Sequence, residues 1–203
     1  AGVNFLDTAE MYPIPPSREK QGLTETYLGN WLKARGNRSS LIIASKVSSR
    51  NRAGMMATRD ASAGLTKENI ARAIDGTLSR LQTDHVDLYQ VHVPDRKANY
   101  FGVRGYEERM DDGGASIEET LEGLAAIIKA GKVRYIGISN ETAWGLSEYL
   151  RLAREKGLPR VVTIQNQYSL INRTFEIGLS EMCIKEGVGL LPYSPLSKGV
   201  LSG

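Results

Sequence analysis

Short apolar runs alternate with segments of helical periodicity along this 203-residue chain, and the alternation limits its possible folds more than any other feature. The apolar runs lie at residues 3–6, 41–45, 86–91, 133–138, 160–164 and 188–192. They are apolar at nearly every position, which is typical of strands covered on both faces. Between them, apolar residues recur at spacings of three and four, which predicts five helices. Strict alternation of strand and helix predicts parallel strands joined by helical crossovers.

Capping residues indicate where several of these helices begin and end. Thr66 is suited to be an N-cap, and Ser116 with Glu119 forms the S-x-x-E pattern of a capping box. Glycines are expected to end the helices at Gly36, Gly131, Gly157 and Gly187. The apolar stripes are predicted to face the core, and in the first helix these are Leu23, Tyr27, Leu28, Trp31 and Leu32.

A side chain able to form hydrogen bonds follows every apolar run. These residues are Asp7, Lys46, His92, Ser139 with Asn140, Gln165 and Tyr193. In a (β/α)8 barrel such positions meet at one rim, where active sites lie, whereas an open doubly wound sheet needs them only at its switch point. No G-x-G-x-x-G motif follows any run, which weakens the open-sheet alternative. We therefore predict an α/β chain of the (β/α)8 TIM-barrel class, in a single domain over residues 1–203.

The two ends of the sequence suggest an incomplete barrel. The chain begins as if in the middle of a strand and stops inside a loop, so we expect about six of the eight strands to be present. The first strand and helix, and the last helix, strand and helix, would then be missing. Residues 94–115 are polar and rich in glycine, and they are predicted to form a long loop insertion at the C-terminal rim.

Composition and charge argue against several classes of function. The net charge is +3 and the basic residues are scattered, so nucleic-acid binding is not expected. No stretch approaches the ~20 apolar residues of a membrane helix, so no membrane association is expected. One cysteine and two histidines form neither an internal disulfide nor a usual zinc site, so we expect no metal. Cys183 is predicted to be a buried thiol, and a cytoplasmic location fits it. Nothing in the sequence indicates an oligomeric state.

Four of the candidate residues together suit the reduction of a carbonyl group. If Asp7, Tyr12, Lys46 and His92 meet at the rim, a buried lysine beside the tyrosine favours the phenolate and lowers the tyrosine pKa from ~10. The aspartate keeps the lysine charged, and a neutral histidine orients a carbonyl oxygen. The chain has no hydride donor of its own, so this chemistry implies a nicotinamide cofactor.

The remaining polar residues suit the binding of such a cofactor. Ser139, Asn140 and Gln165 could hold a carboxamide, and Tyr193 could stack on a flat ring. The segment 194–199 offers backbone groups and Lys198 near a phosphate. Two other interpretations remain open: Asn140 as a helix cap, and Lys46 as the Schiff-base residue of an unrelated barrel lyase or aldolase.

Several motifs resemble the aldo-keto reductases, in that family's order and over essentially the whole chain. They are GVNFLDTAEMY, ASKV, LYQVHVPD, VRYIGISNE, TIQNQYSL and PYSPLSKGVLSG. The segments AEMYPIPPS, QGLTETYLGNWL and VTIQNQYSLINR are most similar to the Tas-type branch of that family. The resemblance implies an NADPH-dependent oxidoreductase on a (β/α)8 barrel that reduces small-molecule aldehydes or ketones.

The resemblance also implies a role for each candidate residue. It makes Tyr12 the general acid, Asp7 and Lys46 its activating pair, and His92 the orienting group. It assigns the cofactor carboxamide to Ser139, Asn140 and Gln165, and the stacked ring to Tyr193. Asp7 is included in the cofactor site, and the pyrophosphate loop contains Ser194, Leu196 and Lys198.

The sequence departs from the family at two points. Many relatives have tryptophan directly after the histidine, where this chain has Val93. The family's site for the adenosine 2′-phosphate lies beyond residue 203, so NADPH rather than NADH is implied by the resemblance alone. Some similar proteins act mainly as cofactor sensors for a protein partner, and that role is the alternative to an enzyme.

Residues 1–203 expressed alone are expected to be unstable or to aggregate, because an incomplete barrel exposes unpaired sheet edges. Thermal unfolding combined with size measurement tests this expectation. A cooperative melt of a monomeric 203-residue chain would contradict it.

Overall fold

A computed structural model of the chain describes residues 2–50, 64–101, 105–106 and 114–203. In these ranges six parallel strands form one sheet in the order of the sequence. The strands are β1 (Phe5–Asp7), β2 (Ile42–Val47), β3 (Val86–Val91), β4 (Val133–Ser139), β5 (Val161–Gln165) and β6 (Gly189–Leu190). The helices between them are α1 (Leu23–Arg35), α2 (Lys67–Leu81), α3 (Ile117–Lys129), α4 (Ala143–Lys156) and α5 (Leu179–Glu186).

The order of the strands confirms the predicted fold class. Each strand pairs in parallel with the next one in sequence, and α1 packs on α2, α2 on α3 and α3 on α4. A doubly wound sheet would reverse its strand order at a switch point, and this sheet does not. The chain therefore has the fold of an incomplete (β/α)8 barrel, with six of its eight strands.

Four strands end one or two residues later than the apolar runs predict, while β3 ends at Val91 as predicted and β6 ends earlier, at Leu190. Lys46 is expected after its strand, but β2 continues to Val47 because Lys46 and Val47 pair with Gln90 and Val91 of β3. Asp7 and Gln165 are likewise the last residues of β1 and β5. Pairing with a neighbouring strand extends these four runs by one or two residues, and the polar side chains still lie at or just after the carboxyl ends.

The predicted helix caps are present. Thr66 accepts a hydrogen bond from the Asn69 amide (3.3 Å), and Ser116 accepts one from the Glu119 amide (3.0 Å). Gly157 and Gly187 follow α4 and α5 in the left-handed conformation, with φ of 65° and 63°, which glycine adopts at little cost.

The prediction for the buried face of α1 is right for Leu32, which is buried, and wrong for two aromatic residues of the stripe. Trp31 is 39% exposed and Tyr27 is 66% exposed. Beside Leu32, the helix buries Glu25 and Gly29. The Glu25 carboxylate accepts hydrogen bonds from Ser45 Oγ (2.5 Å) and Arg80 Nε (2.7 Å), so polar contacts with β2 and α2 set the rotation of the helix. Cys183 is buried, as predicted.

The predicted insertion at 94–115 lies partly outside the described residues. The part that is described, 94–101, 105–106 and 114–115, contains neither helix nor strand. The single domain over 1–203 stays a prediction. Within the described ranges, no helix has the length and apolar character needed to cross a membrane.

Replacing Gly29 by alanine is expected to destabilise the protein, although alanine favours helices. A Cβ at Gly29 would lie 2.2 Å from the Arg80 carbonyl oxygen, so α1 and α2 would have to separate. We expect Gly29→Ala to lower the free energy of unfolding by roughly 1–3 kcal/mol, measured by urea denaturation.

Gly76→Ala is the matched control for that variant. Gly76 lies inside α2, and its added Cβ would meet the movable Arg80 Nη1 at 2.9 Å rather than backbone. Alanine should therefore be neutral here or stabilise by up to about 1 kcal/mol. Equal effects of the two variants would contradict a close helix contact at Gly29.

Candidate active site

A cavity of about 620 Å³ lies at the carboxyl ends of the strands. Its lining comes from the ends of all six strands and the loops that follow them. The residues are Met11, Tyr12, Ile14, Ser48, Ser49, Arg50, His92, Val93, Pro94, Asp95, Tyr100, Phe101, Ser139, Asn140, Gln165, Tyr193, Ser194 and Lys198. Most of the predicted site residues therefore meet at one rim. Among the described side chains, no group of three or more histidine, cysteine or carboxylate residues could hold a metal ion.

Lys46 and Asp7 lie directly beneath Tyr12. Lys46 is fully buried, and its Nζ donates to Asp7 Oδ2 at 2.5 Å and to the Thr8 carbonyl at 2.9 Å. The same Nζ lies 5.0 Å from the centre of the Tyr12 ring. Burial lowers the pKa of Lys46, while the negative charge of Asp7 acts in the opposite direction. The parallel pairing of β1 with β2 brings these side chains together.

The expected decrease in the Tyr12 pKa is wrong. Burial raises the pKa of Tyr12 to about 12, and the charges of Asp7 and Tyr193 add to the increase. Lys46 is already paired with Asp7 at 2.5 Å, so its positive charge is largely compensated. Tyr12 consequently keeps its proton at neutral pH, which suits a proton donor rather than a base.

His92 stands against Tyr12 and is uncharged. The two rings meet edge to face, with centroids 5.6 Å apart. Burial, with the charge of Lys46, lowers the pKa of His92 to about 3. A neutral imidazole carries one N–H donor and one acceptor nitrogen. His92 can therefore orient an oxygen atom by a hydrogen bond without transferring a proton at neutral pH.

The polar residues of β4 and β6 form a connected hydrogen-bond network. Asn140 Nδ2 donates to the His92 carbonyl (2.9 Å) and to Ser139 Oγ (3.1 Å), and its Oδ1 accepts from the Tyr193 hydroxyl (2.8 Å). Ser139 Oγ donates to the Gln165 carbonyl at 2.8 Å. Asn140 does not cap α4, because Thr142 accepts the bond from Gly145. The Tyr193 hydroxyl thus holds Asn140, a contact that a stacking role alone does not require.

Only some of the residues predicted in the segment after β6 line the cavity. Ser194 and Lys198 line it, and both have left-handed backbone, with φ of 54° and 57°. Leu196 does not line the cavity and is 55% exposed. Asp7 and Lys46 also lie outside the lining, beneath Tyr12.

One contributor to the site was missed in the sequence. Gln90 is fully buried, and its Nε2 donates to Asp7 Oδ1 at 3.1 Å, while Lys46 binds Oδ2. Gln90 pairs with Lys46 in the register of β2 and β3. Its signal was an amide within an otherwise largely apolar strand, VDLYQV, which must find a partner when buried.

Comparison with known proteins agrees with this geometry. A model of the Aldo/keto reductase family matches residues 1–203. Protein tas of Escherichia coli is 54% identical over 202 residues, which is 100% of this chain and 58% of that protein. Norsolorinic acid reductase stcV of Emericella nidulans is 32% identical over 98% of this chain and 46% of its own length.

Solved structures show the same likeness. An aldo/keto reductase from Klebsiella pneumoniae in complex with NADP and acetate superposes with a TM-score of 0.72 at 27% identity. That comparison covers 98% of this chain and 56% of the Klebsiella chain. The chain thus spans about half the length of the proteins it matches.

The buried neutral state of His92 predicts a pH-dependent stability. The unfolded imidazole has a pKa of ~6.5 and the folded one about 3, so between these values only the unfolded state binds the proton. Stability contributed by this group is present above pH 6.5 and is lost as the pH falls towards 3. From pH 6 to pH 4, the unfolding free energy of wild type should fall by about 1.4 kcal/mol per pH unit more than that of His92→Gln. Urea denaturation of both proteins measures this, and a pH-independent difference would contradict it.

Proposed function

This chain belongs to the aldo/keto reductase family, and from that premise we propose that the full-length protein reduces aldehyde or ketone carbonyls with NADPH. The observation that carries the proposal is the contact of Tyr12 with both Lys46 and His92 at the edge of the cavity. A proton donor, a buried cation and a neutral hydrogen-bonding imidazole lie together there, as carbonyl reduction requires.

The cofactor is proposed to bind along the side of the cavity formed by β4, β5 and β6. Ser139, Asn140 and Gln165 line that side and would hold the carboxamide, with the Tyr193 ring stacked beside it. Ser194 and Lys198 would lie near the phosphates, and Leu196 is included only by family resemblance. The polar, connected character of this side fits such a ligand. When bound, the nicotinamide supplies the hydride that the protein lacks.

Tyr12 is proposed to supply the proton. As hydride reaches the carbonyl carbon, negative charge develops on the oxygen, and the Tyr12 hydroxyl transfers its proton there to give the alcohol. A tyrosine whose pKa is about 12 is protonated at neutral pH and ready to donate. The phenolate that remains is stabilised by the Lys46 ammonium, 5.0 Å from the ring centre, which Asp7 keeps charged. His92 orients the carbonyl oxygen.

The cavity favours a hydrophobic or aromatic carbonyl compound as substrate. Apolar side chains from the loops after β1 and β3 also line the cavity, and they are Met11, Ile14, Val93, Tyr100 and Phe101. Val93 is smaller than the tryptophan of many relatives, which leaves room for a bulkier substrate. Burial of such a substrate against these side chains removes apolar surface from water.

A Schiff-base reaction at Lys46 fits the geometry poorly. The lysine is fully buried, bonded to Asp7 and Thr8, and separated from the cavity by Tyr12. A Schiff-base lysine must reach the substrate as a neutral amine. The cofactor sensor without turnover is retained as an outcome of the experiment below.

Replacing Tyr12 by phenylalanine is expected to abolish most of the reduction. The ring and its contact with His92 remain, but the transferable proton is lost, so kcat/KM should fall by about 10²–10⁴-fold. The measurement is NADPH oxidation by the full-length protein with 4-nitrobenzaldehyde. Cofactor affinity should change by less than about twofold, because the residues proposed to bind the cofactor follow β4, β5 and β6, whereas Tyr12 follows β1 and loses only its hydroxyl group.

Tyr27→Phe is the matched control, since Tyr27 lies exposed on α1. It should leave turnover unchanged. A Tyr12→Phe variant as active as this control would rule out Tyr12 as the proton donor. A wild-type protein that binds NADPH and reduces no carbonyl compound would favour the sensor.

A further inference from the structure

The Asp95 carboxylate joins three separate loop segments beside the cavity. Its side chain is 2% exposed. Oδ1 accepts from the Arg50 amide at 3.0 Å and from Arg50 Nε at 3.1 Å, while Oδ2 accepts from the amides of Leu65 (3.1 Å) and Ala115 (2.9 Å). Both oxygens of a buried carboxylate are thus satisfied by donors far apart in sequence.

Two glycines lie so close to Asp95 that a side chain at either position would collide with it. A Cβ on Gly64 would lie 2.1 Å from Asp95 Oδ2, and a Cβ on Gly114 would lie 2.5 Å from the Asp95 carbonyl oxygen. That carbonyl also accepts a hydrogen bond from Arg50 Nη2 at 2.5 Å. Two glycines therefore permit the close approach of the segments that Asp95 binds.

The hydrogen bonds of the Asp95 carboxylate with Arg50, Leu65 and Ala115, called the Asp95 junction below, lie on the proposed substrate side of the cavity. Arg50, Asp95 and the neighbouring Tyr100 and Phe101 all contribute to the lining. The four hydrogen bonds of the carboxylate join the loops after β2 and β3 and do not involve β4, β5 or β6. Asp95 follows His92 by three residues and belongs to neither the proton-donating group nor the cofactor side.

We propose that Asp95 is a positioning residue that fixes the substrate-side wall of the cavity and thereby sets the affinity for the carbonyl substrate. This inference rests on the proposed reductase function. It requires that loss of the carboxylate weaken substrate binding while kcat and cofactor affinity are retained. A purely structural role would change substrate binding, kcat and cofactor affinity together.

Asp95→Asn in the full-length protein is the direct test. The asparagine amide has the same shape as the carboxylate, but only its oxygen can accept a hydrogen bond. In one orientation its NH2 group faces the N–H donors of Arg50, and in the other it faces the amides of Leu65 and Ala115. Asp84→Asn is the matched control: it removes the same charge from a side chain that is 92% exposed and precedes β3. Gly114→Ala disturbs the Asp95 junction through a clash with the Asp95 carbonyl oxygen. It replaces Asp95→Asn in the test if that variant fails to fold.

Two sets of measurements are made on each protein. The first is the KM and kcat for 4-nitrobenzaldehyde with NADPH, with the NADPH dissociation constant. The second is the dissociation constant of 4-nitrobenzaldehyde in the presence of NADP⁺, which needs no turnover. We expect Asp95→Asn to raise the KM and the aldehyde dissociation constant at least fivefold, with kcat and NADPH affinity within twofold of wild type.

Other results overturn the inference. It fails if Asp95→Asn matches Asp84→Asn, or if kcat and NADPH affinity fall along with aldehyde affinity. A wild-type protein that binds the aldehyde without reducing it refutes the proposed function but not the role of Asp95. The aldehyde dissociation constants of wild type and Asp95→Asn then test that role. A wild-type protein that neither reduces nor binds the aldehyde overturns both.

Discussion

The ion pair of the buried Lys46 with the partly exposed Asp7 is the interaction on which the rest of the site depends. A fully buried ammonium is costly unless it is paired and its remaining protons are bonded. Asp7 and the Thr8 carbonyl meet that requirement, and Gln90 holds the other carboxylate oxygen. Asp7, Lys46 and Gln90 lie on three adjacent parallel strands and Thr8 directly follows β1, so the order and register of β1, β2 and β3 create the pair. Tyr12 above the pair stays protonated chiefly because it is buried, and the negative charge of Asp7 adds to the increase in its pKa.

Features that depend on local sequence were predictable. The strand and helix alternation, the caps at Thr66 and Ser116, and the barrel class follow from periodicity and from short-range hydrogen bonds. The rotation of α1 was not predictable, because it is set by Glu25 meeting Ser45 and Arg80, residues 20 and 55 positions away. An apolar stripe identifies a core face only where no polar contact of this kind competes with it.

In the candidate site, too, features set by local sequence were predictable and features set by distant partners were not. Residues at strand ends, such as His92 and Gln165, could be identified because the barrel brings all strand ends to one rim. Gln90 and Asp95 were missed because their significance comes from partners distant in sequence. The Tyr12 pKa was predicted in the wrong direction because residue types alone show neither how far the hydroxyl is buried nor that Lys46 is already paired with Asp7.

The contact of Glu25 with Ser45 and Arg80 has a consequence for protein engineering. One carboxylate on α1 is bonded to α2 and to the residue of β2 directly before Lys46. The outer helical layer and the position of the proposed catalytic lysine are therefore mechanically connected. Substitutions on α1 or α2 that break this contact would remove a hydrogen bond from the strand residue next to the lysine, so stabilising changes on these two helices should leave Glu25 and Arg80 in place.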